Sequence, residues 1–178
     1  MKHEVETELK MLLNSDEVQR LIACYYSNIP FIPQINTYYR SNNSEHYAFR
    51  IRERNGETLF TLKEKINGET VEHEKIINEP LLQDKELLEL LASFNEYPPF
   101  EVLGQLTTLR SDYITDNAVI SLDINFYNGL CDYEIEYECT GDHDYKKAFK
   151  AFLNRAGITY KANKESKYKR FINTLKGE

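Results

Sequence analysis

The chain has 178 residues, of which 41% are hydrophobic and 29% charged, with a net charge of −7. That length builds one sizeable core, so a single domain over residues 1–178 is expected; the composition excludes a disordered chain, and the acidic total argues against nucleic acid as a partner. Cys24, Cys131 and Cys139 are odd in number and lack CxxC spacing, which suggests neither a disulfide framework nor a zinc site and fits a reducing, cytoplasmic setting.

The opening MKHEVETELK lacks the apolar run of a signal peptide, and no later window approaches a membrane span, so no membrane partner is expected. From Glu4 to Lys10 the stretch EVETELK alternates strictly, with Glu4, Glu6, Glu8 and Lys10 on one side and Val5, Thr7 and Leu9 on the other. As a β-strand it would gather its charges on one face. Ser15 is a candidate N-cap for a first helix that carries Val18, Leu21, Ile22 and Tyr25 at helical spacing and ends near Tyr26. Pro30 and Pro33 mark a loop, and INTYYR begins a strand at Ile35. YAFRIRER, TLFTLKEK and TVEHEKII follow, separated by Asn55-Gly56 and Asn67-Gly68, and these turns predict antiparallel hairpins. Leu87, Leu88, Leu91 and Phe94 mark a second helix closed by Pro98 and Pro99. Three more strands, VLGQLTTLRSDYI, AVISLDINFY and CDYEIEYEC, precede a third helix at Phe149, Phe152 and Leu153 and a fourth in SKYKRFINTLK. The order predicts an α+β fold with a largely antiparallel sheet.

The phase of the charges carries more information than their number. Arg50, Arg52 and Arg54 share a face in FRIRER, Lys63 and Lys65 in LKEK, and Glu72 and Glu74 in VEHEK. Arg110 and Asp123 follow on later strands, and Asp132, Glu134, Glu136 and Glu138 form one face of DYEIEYE. A solvated strand face tends to mix signs, whereas here they are grouped strand by strand. A curved or closed sheet with apolar residues outward would place such charges along a central tunnel, where acids and bases must neutralise one another or a ligand. Bases suit a polyanion and carboxylates suit Mg²⁺ or Mn²⁺.

In these residues the chain resembles the CYTH superfamily, the triphosphate tunnel metalloenzymes that include class IV adenylyl cyclases, thiamine triphosphatases and inorganic tripolyphosphatases. The ExExK signature matches Glu6-Thr7-Glu8-Leu9-Lys10, and the later order matches as well: Arg50 and Arg52, Lys63 and Lys65, Glu72 and Glu74, Arg110, Asp123, then Glu134 and Glu136. The resemblance implies a closed or nearly closed eight-stranded antiparallel β-tunnel with flanking helices. It implies Glu6, Glu8, Asp123, Glu134 and Glu136 as metal ligands, with Glu6, Glu8 and Glu136 central to catalysis. Lys10, Arg50, Arg52, Lys63, Lys65 and Arg110 are the implied substrate contacts, with Glu72, Glu74 and Lys167 as further tunnel residues. Two departures stand out: Arg40 follows the pair Tyr38-Tyr39 where many relatives have an acid, and Glu138 extends the last acidic run beyond the motif.

The activity so implied is metal-dependent hydrolysis of a triphosphate-containing small molecule, with inorganic tripolyphosphate first because nothing in the chain marks a base-recognition pocket. Cyclisation of ATP to cAMP, hydrolysis of thiamine triphosphate, and non-catalytic binding of polyphosphate or nucleotide are the alternatives. Catalysis would rest on positioning and charge stabilisation, with no Ser, Cys or His nucleophile. His3, His46, His73 and His143 read as surface or packing residues.

Overall fold

The computed structural model describes residues 2–5, 7–41, 49–66, 69–78, 83–163 and 165–175, with the side chains of 2–5, 65, 66, 69 and 70 left aside. In chain order they form β1 (Lys2–Val5), β2 (Glu8–Leu13), α1 (Ser15–Leu21) with a π-helical continuation (Ile22–Tyr26), β3 (Ile32–Ser41), β4 (Phe49–Arg54), β5 (Glu57–Ile66), β6 (Glu69–Ile76), α2 (Lys85–Ser93), β7 (Phe100–Ile114), β8 (Ala118–Tyr127), β9 (Leu130–Cys139), α3 (Tyr145–Arg155) and α4 (Lys167–Leu175). The fold is α+β with antiparallel strand pairing, as expected. The described residues form nine strands rather than eight, because the opening strand is divided. Its first half, β1, pairs with β6, and its second half, β2, pairs with β9.

The chain forms two compact units, Met1–Glu6 with Gln34–Leu106, and Thr7–Pro33 with Thr107–Glu178. β7 gives its first half to one and its second half to the other.

In the first unit the strand order is β1-β6-β5-β4-β3-β7. Phe49 stands opposite Leu62 and Ile51 opposite Phe60, so alternation sends these apolar residues to one side of the sheet. There Phe49, Phe60 and Leu62 pack with Leu87 and Leu91 of α2, all without solvent exposure. Asp84 caps α2 by accepting from Leu87 N–H, and also pairs with Lys75 at 2.8 Å. The hairpin between β4 and β5 turns through Asn55 and Gly56, with φ of 52° and 79°, as the type I′ turn requires. The Asn67-Gly68 turn lies outside the described residues.

In the second unit the order is β7-β8-β9-β2. Met11 stands opposite Ile135 and Leu122 opposite the same residue on the far side, so the apolar phase of three strands meets one core. α1 adds Val18 and Leu21, and α3 adds Phe149 and Leu153. The cap of α1 is Asn14 rather than Ser15: the Asn14 side chain accepts from Glu17 N–H, and the Glu17 carboxylate accepts from Asn14 N–H. A reciprocal capping box satisfies two orphan donors, which a cap one residue later would forgo. After α1 the π-helical turn carries Tyr25 onto Phe152, ring centroids 3.9 Å apart, while the Tyr26 hydroxyl donates to Ile120 C=O at 2.9 Å.

The strand phase opposite these two apolar cores carries a second set of side chains, rich in charge. In the first unit Arg50 opposes Thr61, Arg52 opposes Asn36, and Lys63 opposes Glu72. In the second, Arg110, Asp123 and Glu134 occupy one cross-strand row, with Ser121, Glu136 and Lys10 in the adjacent row.

Candidate functional site

The charged face of the second unit is a dense, largely buried cluster. Arg110 Nε donates to Asp123 Oδ1 at 2.7 Å and its Nη2 to Asp123 Oδ2 at 2.6 Å, a two-pronged pairing, and Nη2 also reaches Glu136. From α4, Lys167 Nζ contacts Asp123 Oδ2, lies 2.9 Å from Glu136 Oε1 and 3.3 Å from Glu134 Oε1. Arg170 closes the other side, pairing with Asp132 and with Glu134 Oε2 at 2.8 Å each. Asn163, just before α4, donates to Glu134 Oε2 at 3.2 Å, and its backbone N–H bonds Lys10 C=O at 3.0 Å, which fixes where the helix begins.

Asp123 and Glu134 are fully buried, a condition under which desolvation is costly and a paired arrangement contributes little net stability. The cluster's electrostatics split the two glutamates of β9. Burial, helped by the Glu136 charge, pushes the Glu134 carboxyl up to about 7. Burial also opposes ionisation of Glu136, but Lys167 and Arg110 overcome it and hold that carboxyl well below the usual range. Asp123 is likewise held low by Arg110 and Lys167 against the effect of burial.

Asp123, Glu134 and Glu136 offer carboxylate oxygens that lie within 4.8 Å of one another. Glu134 Oε1 is buried and has no hydrogen-bond partner. An all-oxygen donor set with one buried oxygen unsatisfied fits a hard divalent cation. Glu8 and Lys10, on β2, pair with each other, and Lys10 stands in register with Glu136.

The first unit carries a separate, basic group. Glu72 pairs with Lys63, and its carboxyl is held low by Lys63, Arg50 and Arg52 although burial opposes this. Arg52 Nε donates to Asn36 Oδ1 at 2.9 Å, and Arg50 Nε is a buried donor with no hydrogen bond. Glu74 accepts from Thr61 at 3.2 Å, where it supports β5 and β6.

The structure thus brings together Arg110, Asp123, Glu134, Glu136 and Lys167 in one unit, and Arg50, Arg52, Lys63 and Glu72 in the other. Glu6 and the Lys65 side chain lie outside the described residues. Arg110, expected on phosphate, directs Nε and Nη2 to carboxylates. Glu138 lies in register with Glu8 at the exposed end of β9. Sequence reasoning placed Asp132 on the acidic face without a role, and missed Arg170, Asn163 and Asn36 as members of these groups. Asp132 shared the acidic phase, and the cationic first turn of α4 was a readable signal for Arg170; the two asparagines carried none.

The CYTH domain family model matches residues 4–172. The chain is 28% identical to "Putative triphosphatase YjbK" of Bacillus subtilis (strain 168), over 92% of this chain and 93% of that one. Among solved structures it is similar to a "putative adenylate cyclase" from Bacillus halodurans, at 25% identity and a TM-score of 0.79, covering 96% of this chain and 99% of the other. HpAC1 from Hippeastrum, for which a dominant triphosphatase activity is described, shares the fold with the same TM-score of 0.79 at 23% identity, covering 94% of this chain and 95% of its own. An antiparallel sheet with its charges in one phase, matched over nearly the whole length by one family, has a single assignment: the chain belongs to the CYTH domain family.

Proposed function

We propose that this CYTH-domain protein hydrolyses a triphosphate with the help of Mg²⁺ or Mn²⁺, and that inorganic tripolyphosphate is its simplest substrate. The observation that carries the reading is the Asp123–Glu134–Glu136 cluster with its unsatisfied, buried Glu134 oxygen. These three residues would hold the metal, with Glu8 of the ExExK motif, in the same unit, as a further ligand. Such an ion, when bound, supplies charge neutralisation at phosphate oxygens and lowers the pKa of a water.

The remaining work belongs to side chains. Arg110 holds Asp123 and Glu136 in place through Nε and Nη2, and is a phosphate contact as well. Arg50, Arg52, Lys63 and Lys65 present fixed positive charge to phosphate oxygens, where developing charge in the transition state is stabilised without reorganisation. The buried, unpaired Arg50 Nε supports this, since a phosphate oxygen would satisfy it. Asn36 keeps the Arg52 guanidinium in orientation. No nucleophilic side chain is needed in this scheme: water attacks the terminal phosphorus, the bridging P–O bond breaks, and tripolyphosphate gives orthophosphate and pyrophosphate, the water's proton passing to solvent.

Cyclisation of ATP is the second reading, favoured by the similarity to the Bacillus halodurans structure named for that activity. One panel separates the two: tripolyphosphate, ATP and thiamine triphosphate, each with Mg²⁺, Mn²⁺ or excess EDTA, with phosphate release and cAMP both measured. Phosphate release that depends on metal is expected, with tripolyphosphate the best substrate. Turnover undiminished by EDTA would overturn the metal assignment, and cAMP formation would move the protein to the cyclases. Tight binding without any product would make it a binding module.

A further inference from the structure

The first turn of α4 runs against an elementary preference. A helix N-terminus carries partial positive charge and favours acids, yet α4 begins Lys167, Tyr168, Lys169, Arg170 with no acid among them. The conflict is resolved on the neighbouring strands, where Lys167 and Arg170 find carboxylates. Arg170 is fixed by several bonds to Asp132 and Glu134. Lys167 is different. Its Nζ contacts Asp123 Oδ2, Glu136 Oε1 and Glu134 Oε1, one oxygen from each residue of the candidate metal cluster.

We propose that the Lys167 ammonium is the cluster's internal counter-cation, and that a divalent ion binds by displacing it. The inference rests on the reading of Asp123, Glu134 and Glu136 as metal ligands. An ion held by those three oxygens at roughly 2.0–2.6 Å would occupy the space the ammonium fills. Charge leads to the same conclusion. Asp123, Asp132, Glu134 and Glu136 face Arg110, Lys167 and Arg170, so with every group ionised these seven side chains carry one negative charge in excess. A divalent ion in place of Lys167 neutralises it; one added beside Lys167 leaves a buried excess of positive charge, which is unfavourable. The fit of the ammonium is also incomplete, because Glu134 Oε1 at 3.3 Å is left without a hydrogen bond.

Lys167 is the member able to leave. A lysine is a point charge on a flexible stem, whereas the forked guanidinium of Arg110 is committed to two carboxylates. Lys167 is the first residue of α4, and the helix remains anchored by Phe171, which has no solvent exposure, and by Arg170. Withdrawal therefore needs movement of one side chain and not of the element.

Two measurements test this without substrate. Calorimetric titration with Mn²⁺ should show Lys167→Met binding the ion roughly tenfold or more tightly than wild type, the scale expected when a like charge a few Å from an ion is removed. Lys167→Arg, which keeps the charge, should not gain. In the wild type, acetic anhydride labelling read by mass spectrometry should find Lys167 protected in EDTA and more reactive in saturating Mg²⁺, a readout that does not depend on any variant folding. Equal or weaker Mn²⁺ affinity in Lys167→Met, or unchanged Lys167 labelling while metal binds, would overturn the displacement and leave the metal site standing. Absence of Mn²⁺ binding in both wild type and Lys167→Met would overturn the metal reading itself, and the displacement with it.

Discussion

Glu134 and Glu136 stand two residues apart on β9, on the same face, and their environments drive them in opposite directions. Burial lifts Glu134 to about 7, while Lys167 and Arg110 overcome burial at Glu136 and hold it low. Close carboxylates cannot both ionise cheaply, so their titrations separate. The stability of the metal-free protein should reflect this. Below the ordinary carboxylate range Glu134 is protonated in folded and unfolded chains alike and costs nothing. As pH rises through about 7 the unfolded chain has already ionised it while the folded chain resists, so stability falls, by up to about 3 kcal/mol for a shift of this size. Asp123 and Glu136, held low, act with the opposite sign: their contribution is present above the ordinary range and lost as pH falls below it. Melting temperatures in EDTA should therefore decline from about pH 5 to about pH 7.5, and Glu134→Gln should flatten that decline. An unchanged slope in the variant would assign the titration to another group. The opposed behaviour was not legible in the sequence, where the two residues look alike; it comes from Arg110 and Lys167, which only the tertiary structure delivers.

At the scale of elements, alternation was the dependable signal. Period two in FRIRER and DYEIEYE placed Arg50, Arg52, Glu134 and Glu136 on the face opposite the apolar cores, because a strand that buries one side must send alternate residues to the other. Element ends were less legible. The opening strand reads as continuous in the sequence, yet its two halves pair with different strands, a consequence of long-range partners that no local pattern contains. The start of α1 was misread by one residue, since both Asn14 and Ser15 are good caps and only the reciprocal bond with Glu17 chooses between them. Asn14→Ala should cost about 1 kcal/mol of stability, and Ser15→Ala should stay within roughly 0.5 kcal/mol, by denaturant unfolding of each variant. A larger loss at Ser15 would return the cap to that residue. The same contrast between local and tertiary causes explains α4, whose cationic first turn is unfavourable for an isolated helix and sensible only beside Asp123, Asp132, Glu134 and Glu136.

At the scale of the whole molecule, the net charge of −7 hides a sorting of function-bearing charge. The Asp123–Glu134–Glu136 carboxylates are gathered in one unit, and Arg50, Arg52 and Lys63 surround Glu72 in the other. A ligand that binds only the folded state raises the melting temperature according to its affinity and concentration, so the two kinds of site can be read independently as thermal shifts. Wild type should be stabilised by Mn²⁺ alone and by tripolyphosphate alone. Arg52→Ala removes a charge-assisted contact worth roughly 1.5 to 3 kcal/mol, or about one to two powers of ten in affinity, and should lose most of the tripolyphosphate shift while keeping the Mn²⁺ shift. Glu136→Gln keeps the shape of the side chain and removes a ligand charge, and should lose the Mn²⁺ shift while keeping the metal-free tripolyphosphate shift. Turnover should collapse in Glu136→Gln, and in Arg52→Ala should fall chiefly through weakened substrate binding. If both variants lost both shifts together, the separation of roles would be wrong, and the charges would act as one fold-maintaining network. If the shifts separated as described but no triphosphate was turned over by wild type with either metal, these charges would serve binding alone.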